Sequence, residues 1–317
     1  MTTIEAITLI ESASPAVLFG DNAKASYRRL AMLCHPDKVD GVLKPRAAKA
    51  FIRLRTYYSQ WALPFVAKLG DWSITEPLTT GDICDLYITK PEAVLKIARA
   101  TNNNDLMEAE GVALKALHAD KRSDEFKRYI PRLLETFKAS GRRTNVLTLA
   151  SSYYSLADIK ALYPNGLDFR HCIWMLNRLL SALGFAHANG ICHGAILPEH
   201  LLYHPETHAL LLIDWCYSVK IGQPIIARVK AHAAEYPPEV ARKTAAMAST
   251  DLYMAARAIY GASAKVPKRF KAFLEHCQAE SPHARPDNAW SLQDRWRSLA
   301  IEEFGPPQYI RLEIPKQ

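Results

Sequence analysis

The period of the hydrophobic pattern changes along this chain, and the order of those changes limits the folds open to it. Over residues 23–63 apolar residues recur at helical spacing, with Tyr27, Leu30, Ala31 and Cys34 on one stripe and Phe51, Leu54, Tyr58 and Trp61 on another. Residues 83–89 and Ala93–Ala98 are strand-like and flank a Lys90-Pro91-Glu92 turn, the pattern of an antiparallel hairpin. A helix over residues 105–118 comes next, then apolar runs at 130–137 and 145–149. Past residue 155 helices dominate, and the one over Phe169–Ala188 stops at Asn189-Gly190. A small helical unit, a small sheet with one helix and a helical lobe add up to an α+β chain without an internal repeat.

The 317 residues are 49% hydrophobic and 23% charged, which excludes wholesale disorder. The longest apolar runs fall well short of the ~20 residues a membrane helix needs, so a soluble protein is expected, with no membrane partner. Residues 1–10 carry Glu5 and no basic residue before their apolar stretch, which is not the secretory pattern and predicts a cytoplasmic chain. Six cysteines lie far apart without a Cys-x-x-Cys pair; reduced thiols are expected, with neither a zinc ribbon nor a disulfide framework. Of the net charge of +8, residues 1–70 hold a large share, with ten Lys/Arg against five Asp/Glu. An acidic partner is therefore expected near the N-terminus, a nucleic acid being the less favoured kind.

The N-terminal stretch from Tyr27 to Lys38 runs as a basic helix into His35-Pro36-Asp37, and a second helix with Phe51 and Tyr57-Tyr58 follows. Pro36 ends the first helix, because the residue before a proline is pushed out of the α region. Over roughly residues 15–63 this closely resembles the J-domain of DnaJ-type co-chaperones. The resemblance implies docking on a DnaK-type chaperone and stimulation of its ATPase through His35, Pro36 and Asp37, with Lys24, Arg28, Arg29 and Lys38 as the positive flank. A bare helix stop with a solvated basic face is the plainer alternative. The usual first helix of that family has little room between Pro15 and Gly20.

From about residue 72 to 304 the chain resembles the protein kinase fold, through several signals in a shared order. Ala93-Val-Leu-Lys96 is similar to the third-strand lysine motif and Glu110 to its partner on the following helix. Leu211-Leu-Ile-Asp214-Trp-Cys216 resembles the Asp-Phe-Gly strand and turn, and Tyr236-Pro-Pro-Glu239 the end of the activation segment. Asp251 falls where a buried helix aspartate belongs, paired in that family with His193, and Arg285 would bridge to Glu239.

The chemistry departs from that family. In the loop His193-Gly194-Ala195-Ile-Leu-Pro-Glu199-His200, Ala195 stands for the aspartate that receives the hydroxyl proton, Leu197 for the lysine and His200 for the metal-binding asparagine. The glycine loop keeps only Gly81, with Thr79 and Cys84 at positions where side chains hinder the approach to phosphate. The resemblance therefore implies a pseudokinase with no catalytic residues of the usual kind. Gly81, Lys96, Glu110 and Asp214 could still bind ATP, with Mg²⁺ on Asp214; a purely internal ion pair is an equal alternative. His200 beside Asp214 also suggests a transition-metal site, although two ligands do not make one.

The expected organisation is a J-domain over 1–63, a linker over 64–75, a kinase-like domain over 76–305 with its small lobe to about 150, and a tail over 306–317. The leading expectation is a J-domain co-chaperone whose pseudokinase domain binds an unidentified client or regulatory partner. The alternatives are a divergent kinase-fold transferase using ATP with a substitute base, Glu199 or His200, and a nucleotide-sensing scaffold.

Overall fold

The computed structural model describes residues 1–19, 23–35, 39, 43–61, 69–121 and 124–314. The chain divides into two compact units, residues 1–78 with 87–91, and residues 79–86 with 92–317.

In the first unit, α1 (Thr3–Ser12), α2 (Pro15–Phe19), α3 (Ala23–Cys34) and α4 (Lys44–Trp61) share a core that includes Ile7, Ile10, Phe19, Leu30 and Leu54. A first helix is thus present upstream of the place that looked too short for it. Thr2 and Glu5 form a capping box that starts α1, and Ala6, Ile7 and Ile10, three and four residues apart, form its buried face. Pro15, which reads as a barrier, is the first residue of the separate turn α2, where its missing N–H is harmless. Tyr27 of α3 stacks on Tyr58 of α4 with centroids 3.9 Å apart, and Arg46 of α4 pairs with Glu11 of α1. His35, just past α3, sets its ring edge-to-face on Phe51, centroids 4.9 Å apart. Arg28 and Arg29 are exposed, whereas Pro36, Asp37, Lys38 and the side chain of Lys24 lie outside the described residues.

β1 (Ser73–Thr80) begins before the expected boundary at residue 76. With β2 (Cys84–Lys90), β3 (Ala93–Ala98), β4 (Leu133–Ala139) and β5 (Arg142–Leu147) it makes a five-stranded sheet of order β1-β2-β3-β5-β4, and α5 (Asn104–Ala119) connects β3 to β4. β3 is buried along its whole length. It pairs antiparallel with β5 in a register that sets Lys96 opposite Asn145.

The rest of the second unit is mainly helical. β6 (Tyr154–Ser155), α6 (Leu156–Leu162) and α7 (Phe169–Ala188) precede four short strands, β7 (Ile191–Cys192), β8 (Leu201–Tyr203), β9 (Leu210–Leu212) and β10 (Val219–Lys220). α8 (Pro238–Ala241), α9 (Ala248–Tyr260), α10 (Lys268–Cys277) and α11 (Ala289–Phe304) complete it. α7 has the bounds its sequence predicts: Asp168 accepts from the Arg170 N–H at 2.9 Å to start it, and Gly190 turns the chain away at φ +71°. At its centre Gly184 lies against the Trp290 indole, where any Cβ would collide with the ring. Residues 306–314 pack as an extended segment on this unit. Leu312 is buried, the Tyr309 hydroxyl donates to the Glu206 carbonyl at 2.7 Å, and the His208 ring is stacked by Trp174 and by Tyr309.

Among the described residues no helix is long and apolar enough to cross a membrane. All six cysteines are free and buried. Burial pushes the thiol of Cys34 up to about 11 and those of Cys84, Cys172 and Cys277 up to about 12, so they stay protonated.

Candidate functional site

Lys96 extends from β3 into a nearly closed cluster in the second unit. Its ammonium donates to Glu110 Oε1 at 2.7 Å, to Asp214 Oδ1 at 2.8 Å and, more weakly, to the Cys216 sulfur at 3.4 Å. Glu110 comes to this point because α5 buries the stripe Met107, Glu110, Leu114 and Leu117, whose spacing of three and four sets one face against the sheet. Its second oxygen accepts from the Asn145 amide at 2.9 Å, and the same amide also donates to the Met107 carbonyl at 2.8 Å. Asn145 is a positioning residue that sequence reasoning missed. Its trace is one amide in an apolar strand run, and its role follows only from the β3–β5 register.

Asp214 sits just past β9 with a left-handed backbone, φ +63° and ψ +59°, a conformation Asp tolerates better than most residues. Its Oδ2 accepts from His200 Nε2 at 3.1 Å, and His200 Nδ1 faces the Ala195 carbonyl at 2.8 Å. Both ring nitrogens of His200 therefore meet acceptors and both carry protons. Burial works against charge here, but the Asp214 carboxylate outweighs it and raises the His200 value. For Asp214 burial is likewise outweighed, by Lys96 and then His200, which hold its carboxyl well below the usual range. Burial is outweighed a third time at Lys96, which Asp214 first and then Cys216 and Glu110 keep well above the usual value.

The loop beneath is anchored from α9. Asp251, in the first turn of that helix, accepts the backbone N–H groups of His193 and Gly194 at 2.8 and 2.9 Å and His187 Nε2 at 2.9 Å. The expected side-chain pair of His193 with Asp251 is replaced by this arrangement. The His193 ring instead donates from Nε2 to the Ile213 carbonyl at 2.9 Å and accepts on Nδ1 from the Ala195 N–H at 3.3 Å. It is a neutral imidazole, its value pushed down to about 4 chiefly by burial. His187 was not singled out in the sequence; its only sign there is a place in the last turn of α7, shortly before the loop. Gly194 holds φ +79° with its α-carbon tight against the Tyr217 carbonyl, so no side chain fits at that position.

Ala195 is fully buried in a small apolar cluster with Cys84, Ala98, Met107, Cys216 and Tyr217. The Cys84 side chain thus points into protein, while Gly81 closes a tight turn by donating to the Cys84 carbonyl at 2.9 Å. Of the two substitute bases, His200 has no lone pair left. Glu199 retains one: its carboxylate is 47% exposed, pairs with His232 at 3.2 Å and opens onto a cavity of about 770 Å³ shared with Lys160, Glu235, Arg257 and Glu275.

Two groups of potential metal ligands cluster among the described residues. In His187, Cys192 and Asp251, His187 Nε2 already meets Asp251 at 2.9 Å and the Cys192 thiol donates to the Met247 carbonyl at 3.0 Å. In Glu110, Asp214 and Cys216 the Lys96 ammonium already occupies the centre.

Farther out, Arg285 grips Glu239 through both guanidinium nitrogens at 2.6 and 3.0 Å, as the sequence suggests. Thr250 of α9 donates to the same carboxylate at 3.0 Å, and the Tyr253 ring lies under the guanidinium at 4.7 Å.

No protein-family model matches the sequence. Among solved structures the chain is similar to the kinase domain of Mycobacterium tuberculosis PknI. A double mutant of that domain matches at 14% identity over 74% of this chain and 97% of the other, with a TM-score of 0.58, and a single mutant does so with a TM-score of 0.57. At that identity the likeness is one of fold, and the fold here is that of a protein kinase domain.

Proposed function

We propose that the kinase-like domain is a nucleotide-binding module without the proton-accepting step of kinase chemistry. The observation that carries this reading is the Lys96 ammonium held at once by Glu110 and Asp214, with the buried methyl of Ala195 where kinases place the accepting carboxylate. Of the three contacts of Lys96, that to the Cys216 sulfur is the weakest, and it is the one a phosphate oxygen replaces. Because Gly81 alone remains of the glycine loop, few backbone donors meet the phosphates. ATP is therefore expected to bind in the high micromolar range or weaker, each missing hydrogen bond forfeiting roughly 1 kcal/mol. In a titration with ATP, Lys96→Ala is expected to weaken binding at least about tenfold. Loss of a positioned base lowers rate by a factor of ~10² to 10⁴, so transfer of label from ATP to generic protein substrates stays at background. Robust transfer that disappears in Asp214→Ala would overturn this reading.

That outcome would favour the second reading, a divergent kinase-fold transferase, for which the exposed Glu199 carboxylate beside its cavity is the specific support. Glu199→Gln would then remove the transfer while leaving ATP affinity unchanged.

For the N-terminal helical unit we propose docking on a DnaK-type chaperone, with the kinase-like domain selecting the client. The supporting observation is the His35 ring held on Phe51 at the end of a helix whose Arg28 and Arg29 are exposed. The full chain is expected to raise the steady-state ATPase rate of such a chaperone, and His35→Gln to remove the effect. Equal stimulation by both forms would sink the docking role.

A further inference from the structure

Kinase chemistry relies on a divalent cation at the position Asp214 occupies, and the donors around Asp214 do not suit one. Magnesium takes oxygen ligands in a near-octahedral shell and keeps several waters. Here Asp214 Oδ1 accepts from the Lys96 ammonium and Oδ2 from the His200 ring, so a cation on either oxygen would have to share it with an N–H donor. His200 stands where the amide oxygen of an asparagine would serve, and it presents an N–H in place of a lone pair.

We propose that the cluster of Lys96, Asp214 and His200 binds the polyphosphate of a nucleotide without a divalent cation, His200 filling the metal's place. This rests on the nucleotide-binding reading above. Lys96 and His200 both donate to one carboxylate, and a phosphate chain entering beside them exchanges contacts with these two donors directly. A magnesium-bound nucleotide would instead bring a dication against the Lys96 ammonium and the N–H of His200. The preferred ligand is thus the metal-free nucleoside triphosphate.

The test uses the full chain, with ATP titrated calorimetrically in excess EDTA and in excess magnesium chloride at equal ionic strength. Affinity in EDTA is expected to equal or exceed that in magnesium; a gain of about tenfold on adding magnesium would overturn the proposal. In His200→Asn, which restores an amide oxygen beside Asp214, magnesium is expected to improve binding, and a variant still indifferent to magnesium would count against the role given to His200. A second arm omits nucleotide and titrates manganese alone, with the bound fraction read by electron paramagnetic resonance. No bound manganese in the wild type supports the proposal, and binding that Asp214→Asn abolishes overturns it. If ATP fails to bind under both conditions, the nucleotide reading falls, and the proposal that depends on it falls too. The manganese arm still decides by itself whether Asp214 takes a cation.

Discussion

Arg285→Ala is expected to lower the melting temperature by roughly 6 to 20 °C, the shift that a loss of about 3 to 5 kcal/mol produces in a domain of some 200 residues. The size follows from what the guanidinium leaves behind. Glu239 is 4% exposed, and its two oxygens lose both partners on Arg285, keeping only the Thr250 hydroxyl. The Ala279 and Glu280 carbonyls, which accept from Arg285 at 2.6 and 2.8 Å, lose their donor too. Arg285→Lys should fall between, because an ammonium cannot reproduce the two-pronged grip. An alanine at Arg311, whose pair with Glu206 is more than half exposed on both sides, provides the control. Melting temperatures that match for the two alanine variants would remove the bridge from the list of structural supports.

Acid weakens this fold well before its carboxylates titrate. His193 takes up a proton in the unfolded chain near the usual 6.5, whereas burial holds it neutral in the folded state down to about 4. Between those values the unfolded state binds more protons, so stability falls as pH falls, by about 1.4 kcal/mol per unit of separation and about 3 kcal/mol in all. His200 adds no slope in this window. Its value is raised, so it is charged in both states below 6.5, and its contribution is lost only as pH rises through the raised value. Asp214 and Asp251 are lowered, and their contributions are lost only below the unfolded carboxylate value of 3.8. Urea midpoints compared at about pH 7 and about pH 4.5 should show the fall, and His193→Gln should reduce it, with a remainder from His118, His171 and His208, whose values burial also lowers. A midpoint that does not move in the wild type would contradict the buried neutral imidazole.

The parts legible in the sequence were those whose signal is local. α7 declared its end through Asn189-Gly190, and the Lys96–Glu110 pair was visible through the resemblance of its two segments to the kinase lysine motif and the helix after it. β1 was obscure because its residues are mostly exposed, which erases the alternation that marks a half-buried strand. α1 was hidden behind Pro15, a residue that begins a helix as readily as it ends one. Asn145 and His187 act on partners 35 and 64 positions away, and nothing in their neighbours announces such contacts. The ring nitrogens of His200 could not be assigned until the Ala195 carbonyl and Asp214 were seen on opposite sides of it.

The pairing of Lys96 with Asn145 across the ladder also has a meaning for how the sheet assembles. Side chains in a strand alternate between faces, so a slip of one residue between β3 and β5 turns Lys96 away from α5 and offers an aliphatic neighbour, Leu95 or Ile97, to the buried carboxylate of Glu110. The misregistered sheet then carries two stranded charges and the native one none. The cluster thus acts as a proofreader of strand alignment, a duty that would keep these charges in place whatever ligand they meet.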